Sequence, residues 1–357
     1  MYKSTDDLGT SYYFRGKVEN NYVLFAKEQR PICTYNGVQV NIGVYNNGAE
    51  KIVNTLPIYT QNECSVSGIC LSSNFGPVIG VSSSDCSDDG GTFVNSSPTY
   101  SGMEEKNILW KIVRINGDNS IRIIHTETNV NSAFNSARDK SEYVGYQYIL
   151  GQQHGYGKCE GINENCTING NIVYNSTVKQ NLDKWYTRTT LVGIDAKNIV
   201  DSIFCNDRSA SSTQTNEWAS TGANYYYGAY GRLNYNDTKP TLKCLTNSDK
   251  FTVSTSIGNG ALTYPVGLIT GDEILMAGNG EYTNLTSGIY NPTQSITPSY
   301  YGPSPVVSTS NAYGIDSGSN LSSEGYGGFR SVISLSPKVK FSSGDGTYNN
   351  PYIVDSN

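Results

Sequence analysis

Tyr326-Gly-Gly-Phe-Arg-Ser-Val-Ile-Ser-Leu335 is the most informative run of the chain. Phe329, Val332 and Leu335 read as the apolar positions of a buried strand. The segment leading into it from about Ile289 has almost no long apolar side chains and many Tyr, Ser, Asn and Gly. A firm strand beside an adaptable polar lead-in is the pattern of a binding face on a scaffold.

Outward from this run the chain continues the same texture. Its 357 residues allow two domains, or one domain with a large insertion. Tyr dominates the aromatic residues, 28 against 9 Phe and 3 Trp, and a Tyr/Ser/Asn/Gly composition favours short strands and turns over helices. Tyr also offers a large contact area with a polar tip, which suits recognition surfaces. Charged residues make up 16% and the net charge is -6, so nothing here neutralises nucleic-acid phosphate and nucleic acid is excluded as a partner.

Eight cysteines stand at Cys33, Cys64, Cys70, Cys86, Cys159, Cys166, Cys205 and Cys244, none in a CxxC pair. With only 2 histidines a zinc framework is disfavoured, and disulfides in an oxidising, extracellular setting are the better reading. The preferred pairs are Cys159 with Cys166, Cys205 with Cys244, and two bridges within the first four, although spacing alone leaves the connectivity open. No run of 18 apolar residues and no signal-peptide pattern appear, so the reading is of a mature secreted fragment without a transmembrane segment.

Along the chain, Tyr12 to Ala26 (YYFRGKVENNYVLFA) reads as two strands around Glu19-Asn20-Asn21, with Phe14, Val18, Val23 and Phe25 as core positions. Leu109 to Ile115 and Ile121 to Ile124 flank Asn116-Gly-Asp-Asn-Ser120, a hairpin whose Asn-Gly signal points to positive φ. Residues 27–107 between these hairpins carry four cysteines and few helix formers, and read as a disulfide-stapled β/loop-rich insertion. Residues 1–26 and 108–357 then form the main domain. Asp85-Cys-Ser-Asp-Asp-Gly-Gly91 has the oxygens for Ca²⁺ but lacks EF-hand spacing, so an ordinary solvated turn is the stronger alternative and no cofactor is assigned.

Two helices are expected. Ser176 caps one from Thr177 to about Thr187, with Val178, Leu182, Trp185 and Tyr186 on one stripe. Thr270-Gly-Asp-Glu273 is a capping box that opens the other. Asp195 to Phe204 adds a further turn or two. Cys205 and Cys244 would close the irregular tract containing Tyr225-Tyr-Tyr-Gly-Ala-Tyr-Gly231. The late segments Ser295 to Ser299, Val306 to Ile315 and Phe329 to Leu335 read as a strand meander, and Gly344 to Val354 as a turn and a final short strand.

The runs YYFRGKVENNYVLFA, LWKIVRINGDNSIRII, IFCNDRS, LTYPVGLITGDEI, GGFRSVISL and GDGTYNNPYIV together resemble a family of surface or secreted proteins from gut Firmicutes, often with a prepilin-like leader. The resemblance implies an α+β fold, C-type lectin-like, similar to the formylglycine-generating enzyme group and to the variable proteins of diversity-generating retroelements. This chain departs from the family pattern in three places. The cysteine-bearing insertion separates Ala26 from Trp110, Ser295-Ile-Thr-Pro-Ser299 lacks the family's Trp, and Phe329-Arg330-Ser331-Val332 stands where Phe/Val-Arg-Pro-Val is usual.

In such folds the late strands and loops present the ligand face, which here would comprise Tyr290, Asn291, Tyr300, Tyr301, Asn311, Tyr313, Asp316, Asn320 and Tyr326. That set resembles a paratope, and also the residues that adenine-directed mutagenesis generates in retroelement variable proteins. The expectation is a surface-displayed, adhesin-like protein that binds a protein or glycan on another cell or surface. The alternative is a pilin-like or cell-envelope subunit. An enzyme is the remote alternative. Any His base would have to be His125 or His154, neither accompanied by a nucleophile turn, and no residue is assigned as catalytic or as a metal ligand.

Overall fold

The hairpin Leu109 to Ile124 shows how the main sheet is built. In the computed structural model, which describes residues 1–16, 18–45, 51–127, 129–135, 141–152, 165–168, 170–211, 225–229, 232, 239–277, 296–301, 307–309 and 327–355, the strand Thr99–Ile115 pairs antiparallel with Ile121–His125. Trp110 faces His125 and Ile115 faces Ile121, with a bulge between Ile112 and Arg114. The turn is not the two-residue type that Asn-Gly favours. Asn119, not Gly117, takes the positive φ, 66°, and the Asp118 carboxylate accepts from Ser120 N–H at 2.9 Å. Gly117 is needed for room instead, because a Cβ there would lie 2.2 Å from Gly9 N and 2.4 Å from Asp6 Oδ1.

The chain divides into two compact units, Met1–Ala26 with Ile108–Asn357, and Lys27–Asn107. The sheet of the first unit runs in the order Ile199–Val200, Val332–Leu335, Ile121–His125, Thr99–Ile115, Tyr22–Tyr35, Tyr352–Val354, Phe341–Ser343. Ile121–His125 pairs antiparallel with both neighbours, as do Val332–Leu335 with Ile199–Val200 and Phe341–Ser343 with Tyr352–Val354, whereas Tyr352–Val354 runs parallel to Tyr22–Tyr35 with Tyr352 opposite Val23. A side hairpin of Tyr2–Asp6 and Gly9–Tyr13 joins Thr99–Ile115 through Tyr13 and Arg114. The expected hairpin across Tyr12 to Ala26 is therefore corrected. Gly9, at φ 140°, permits the tighter turn at Asp7-Leu8, and Gly9–Tyr13 pairs backwards with Tyr2–Asp6. Val23 and Phe25 are buried, whereas Phe14 and Val18 are half-buried.

The run from Tyr326 to Leu335 forms two strands, Gly327–Phe329 and Val332–Leu335. Phe329 pairs with Val130 of Val130–Ser132, while Val332 to Leu335 lie between Ile121–His125 and Ile199–Val200. Phe329, Val332, Ile333 and Leu335 are all fully buried, as suits a strand with neighbours on both sides. The helix Thr177–Tyr186 starts at Ser176, whose Oγ accepts from Lys179 N–H, and buries Val178, Leu182, Trp185 and Tyr186. Its Trp185 ring lies edge-on to Trp110 at 6.2 Å, and Tyr186 stacks on Tyr264 at 4.9 Å. A second helix, Gly271–Ala277, follows the capping box: Glu273 N–H donates to Thr270 Oγ1 at 3.1 Å and Thr270 N–H to Glu273 Oε2 at 2.9 Å. Where the resemblance led one to expect Trp, Ile296 fills the core and its N–H donates to Ile269 O.

The second unit carries a five-stranded sheet in the order Ile52–Leu56, Asn41–Tyr45, Gly76–Ile79, Ile69–Ser72, Thr92–Val94. Its apolar interior is two small clusters, one around Cys33–Cys64 and one around Cys70–Cys86, so the bridges stand in for the core a small unit lacks. Asp85-Cys-Ser-Asp88 lies in a short helix, Ser83–Asp88, not in a calcium loop. Asp85 Oδ2 accepts from Ser82 Oγ and Asp89 Oδ2 from Ser72 Oγ.

The protein is thus α+β and dominated by sheets. Cys33–Cys64, Cys70–Cys86 and Cys205–Cys244 are bridged, and Cys159 lies outside the described residues. Among the described residues no helix is long and apolar enough to cross a membrane.

Candidate functional site

Two regions bear on function. The first is the tyrosine-rich face read from the sequence. Tyr290, Asn291, Asn311, Tyr313, Asp316, Asn320 and Tyr326 lie outside the described residues. Tyr300 and Tyr301 are on the strand Pro298–Tyr301, which pairs with Val307–Thr309 on one side and Tyr225–Tyr226 on the other. Tyr225 faces Tyr301 and Tyr226 faces Tyr300, so a segment inside the Cys205–Cys244 loop joins the late strands in one small sheet.

The second region is a polar layer on the main sheet that sequence reading did not single out. Arg114 lies opposite Arg122 in the hairpin, and Arg122 lies opposite Ser334 on the next strand. Alternation therefore places several polar side chains together. The helix Gly271–Ala277 supplies Glu273, whose Oε1 meets Arg114 Nε at 2.9 Å and Arg122 Nε at 2.7 Å. Arg114 Nη1 also reaches Asp6 Oδ2 at 2.6 Å, and Asp6 accepts from the N–H groups of Leu8 and Gly117. Next to Glu273, Asp272 receives Arg232 in two bonds, Nε to Oδ1 at 2.7 Å and Nη2 to Oδ2 at 2.5 Å, and Arg232 also pairs with Asp207. Asp272 Oδ1 accepts from Thr241 N–H as well. A neighbouring pair, Arg208 with Asp249, is fully buried.

Consecutive carboxylates thus serve different structures. Glu273 holds the sheet, and Asp272 holds Arg232 and Thr241 inside the disulfide-closed loop. Burial alone would raise the Glu273 carboxyl, but the guanidiniums of Arg122 and Arg114 outweigh it and hold it below the usual range. Burial pushes Arg122 down to about 10, partly offset by Glu273, which leaves it protonated at neutral pH. Two carboxylates keep Arg232 protonated against its own burial.

Within this layer is a cavity of about 30 Å³, lined among others by Asp6, Arg114, Asn116, Arg122, Asp272 and Glu273. Arg122 also stacks its guanidinium 4.5 Å from the Phe204 ring centre. On the same sheet, Lys111 is buried with its ammonium 4.7 Å from the Tyr22 ring centre, and burial and Arg330 push it down to about 8. His125 is buried between the rings of Trp110 and Trp185, and its Nδ1 accepts from Glu127 N–H. His154 lies outside the described residues. Among the described residues no three His, Cys, Asp or Glu side chains gather to hold a metal.

The signal for the charged layer was present in the sequence. LWKIVRINGDNSIRII sets Arg at two positions of otherwise apolar strands, in a chain where charge is scarce. Their partners lie far along the chain, and nothing local names them. No family model, curated protein or solved structure matches the chain. Fold and site define it as an α+β, sheet-dominated, disulfide-bridged protein with a buried charge network that includes Arg232 from between Cys205 and Cys244.

Proposed function

We propose that the chain is an extracellular, surface-displayed binding protein with a C-type lectin-like main unit, whose Tyr/Ser/Asn-rich late segment contacts a protein or glycan on another cell or surface. The observation that carries this reading is the pairing of Tyr225–Tyr226 with Pro298–Tyr301. It brings two tyrosine-rich parts of the chain onto one small sheet, and the loop behind the first part is fastened by Cys205–Cys244 and by Arg232 between Asp207 and Asp272. Tyrosines on a braced sheet lose little conformational freedom on binding, which is how aromatic anchors come to dominate interfaces. The disulfides among the described residues accord with the oxidising setting such a protein works in.

Binding to intact cells and to an immobilised glycan panel, compared between the wild type and a Tyr300→Ala/Tyr301→Ala double variant, tests the reading. Loss of an aromatic anchor pair is expected to weaken binding by about tenfold or more. Equal binding by the two proteins would remove the face from consideration.

A further inference from the structure

The cavity in the polar layer contains two deeply buried groups whose hydrogen-bonding capacity the described residues do not use. Arg122, 1% exposed, donates Nη1 to Ile203 O at 3.2 Å and sets Nε against Glu273, but its Nη2 meets no acceptor among the described residues. Asn116, 2% exposed, has the complementary deficit: its Oδ1 meets no donor among the described residues. Both side chains line the cavity.

The orientation of the Asn116 amide follows from its neighbours. Ser120 Oγ donates to Asp118 Oδ1 at 2.6 Å and Ser334 Oγ donates to Ser202 Oγ at 3.0 Å. With their protons committed, both serines must accept from Asn116 Nδ2, which reaches them at 2.8 and 3.2 Å. The amide oxygen is therefore an acceptor by necessity. A guest that satisfies both groups accepts from a guanidinium N–H and donates to an amide oxygen.

That requirement selects the guest's chemistry. A halide or carboxylate cannot donate to Asn116, and a metal ion or ammonium cannot accept from Arg122. The charges give no reason for an ionic guest, because the carboxylates lining the cavity already have partners: Asp6 holds Arg114, Asp7 holds Lys250, Asp207 and Asp272 hold Arg232, and Glu273 holds both hairpin arginines. A hydroxyl accepts and donates at a single oxygen, so it meets both demands at one position. Exposed Lys243 and half-buried Asp7 and Thr241 line the outer part with further donors and acceptors.

We propose that this cavity is a subsite for one hydroxyl of a neutral polyol or carbohydrate, accepting from Arg122 Nη2 and donating to Asn116 Oδ1. The ligand hydroxyl makes the two hydrogen bonds that a water bridging the same two groups would make. This subsite is distinct from the tyrosine face, and either can fail without the other.

The test is a titration of the isotope-labelled full chain, followed by NMR of the Asn116 side-chain amide and the Arg122 Nη2 protons. The probes are glycerol, myo-inositol and the methyl glycosides of glucose, galactose and mannose, with sodium acetate and ammonium chloride as ionic controls. At least one neutral probe is expected to shift the Asn116 amide saturably and to show a nuclear Overhauser contact to Arg122 Nη2, a readout that needs no variant. Asn116→Leu should abolish binding of that probe, whereas the Tyr300→Ala/Tyr301→Ala protein should keep it. Silence across the neutral panel assigns the cavity to water alone and overturns the proposal, as does saturation by acetate or ammonium.

Discussion

Glu273 shows how much can rest on one carboxylate. Its Oε2 closes the capping box on Thr270 N–H, and its Oε1 sits between Arg114 and Arg122. The capping box is legible in Thr270-Gly-Asp-Glu273. The ion pairs are not, because Arg114 stands 159 positions away and a sequence carries no mark of that proximity. Glu273→Gln leaves two buried guanidiniums facing a neutral amide and is expected to cost about 3–5 kcal/mol of stability at pH 7. The folded carboxyl titrates below its ordinary value of 4.5. Its contribution is therefore full above that value and fades as pH falls through the lower folded one. Denaturant unfolding from pH 7 down to pH 3 should show the gap between wild type and Glu273→Gln narrowing only at the acid end. A gap independent of pH would mean the charge is not what Glu273 supplies.

Among the elements, those defined by local chemistry were readable and those defined by distant neighbours were not. Helix Thr177–Tyr186 announces itself by its cap and stripe. Replacing Ser176 with Ala removes the acceptor for Lys179 N–H and should lower stability by about 1 kcal/mol, with Gly costing only a few tenths, as read from urea midpoints. Leu262-Thr-Tyr-Pro-Val-Gly-Leu-Ile269 is the contrary case. Val266, Leu268 and Ile269 are buried, yet the segment forms an isolated bridge, Gly267 with Val332, and single hydrogen bonds such as Leu262 N–H to Thr252 O. Pro265 removes a donor, and Gly267 lets the Phe204 ring approach where a Cβ would lie 2.4 Å from it. The packing partner that makes the segment irregular lies in another part of the chain. Tyr12 to Ala26 misled for the same reason, since the strand that Gly9–Tyr13 pairs with precedes it.

At the scale of the molecule, the division at Ala26 and Ile108 has a direct test. Trp110 Nε1 donates to Phe25 O at 2.8 Å, so the two strands that carry the boundary are already fastened together inside the first unit. Replacing residues 27–107 with a short Asn-Gly turn is expected to leave a protein that unfolds in one cooperative transition and keeps the Cys205–Cys244 bridge. A product without a transition would show that the main unit depends on the second one. Of the binding residues proposed from composition, Tyr300 and Tyr301 lie on a described strand and the others lie outside the described residues.

The strand Tyr352–Val354 lies between Tyr22–Tyr35 and Phe341–Ser343. Its place beside Tyr22–Tyr35 is therefore open from early in biosynthesis and filled only after Phe341–Ser343 has been made. A nascent chain that stops short of Tyr352 presents Val23 and Leu24 on a strand with one unpaired edge, open to a neighbouring chain. Ribosome-bound chains ending at Pro351 should be cut by protease near Val23, and those extended past Val354 by a linker that clears the exit tunnel should resist. For this protein, avoiding aggregation becomes a matter of synthesis timing, in which one strand edge stays open until Tyr352–Val354 has been made.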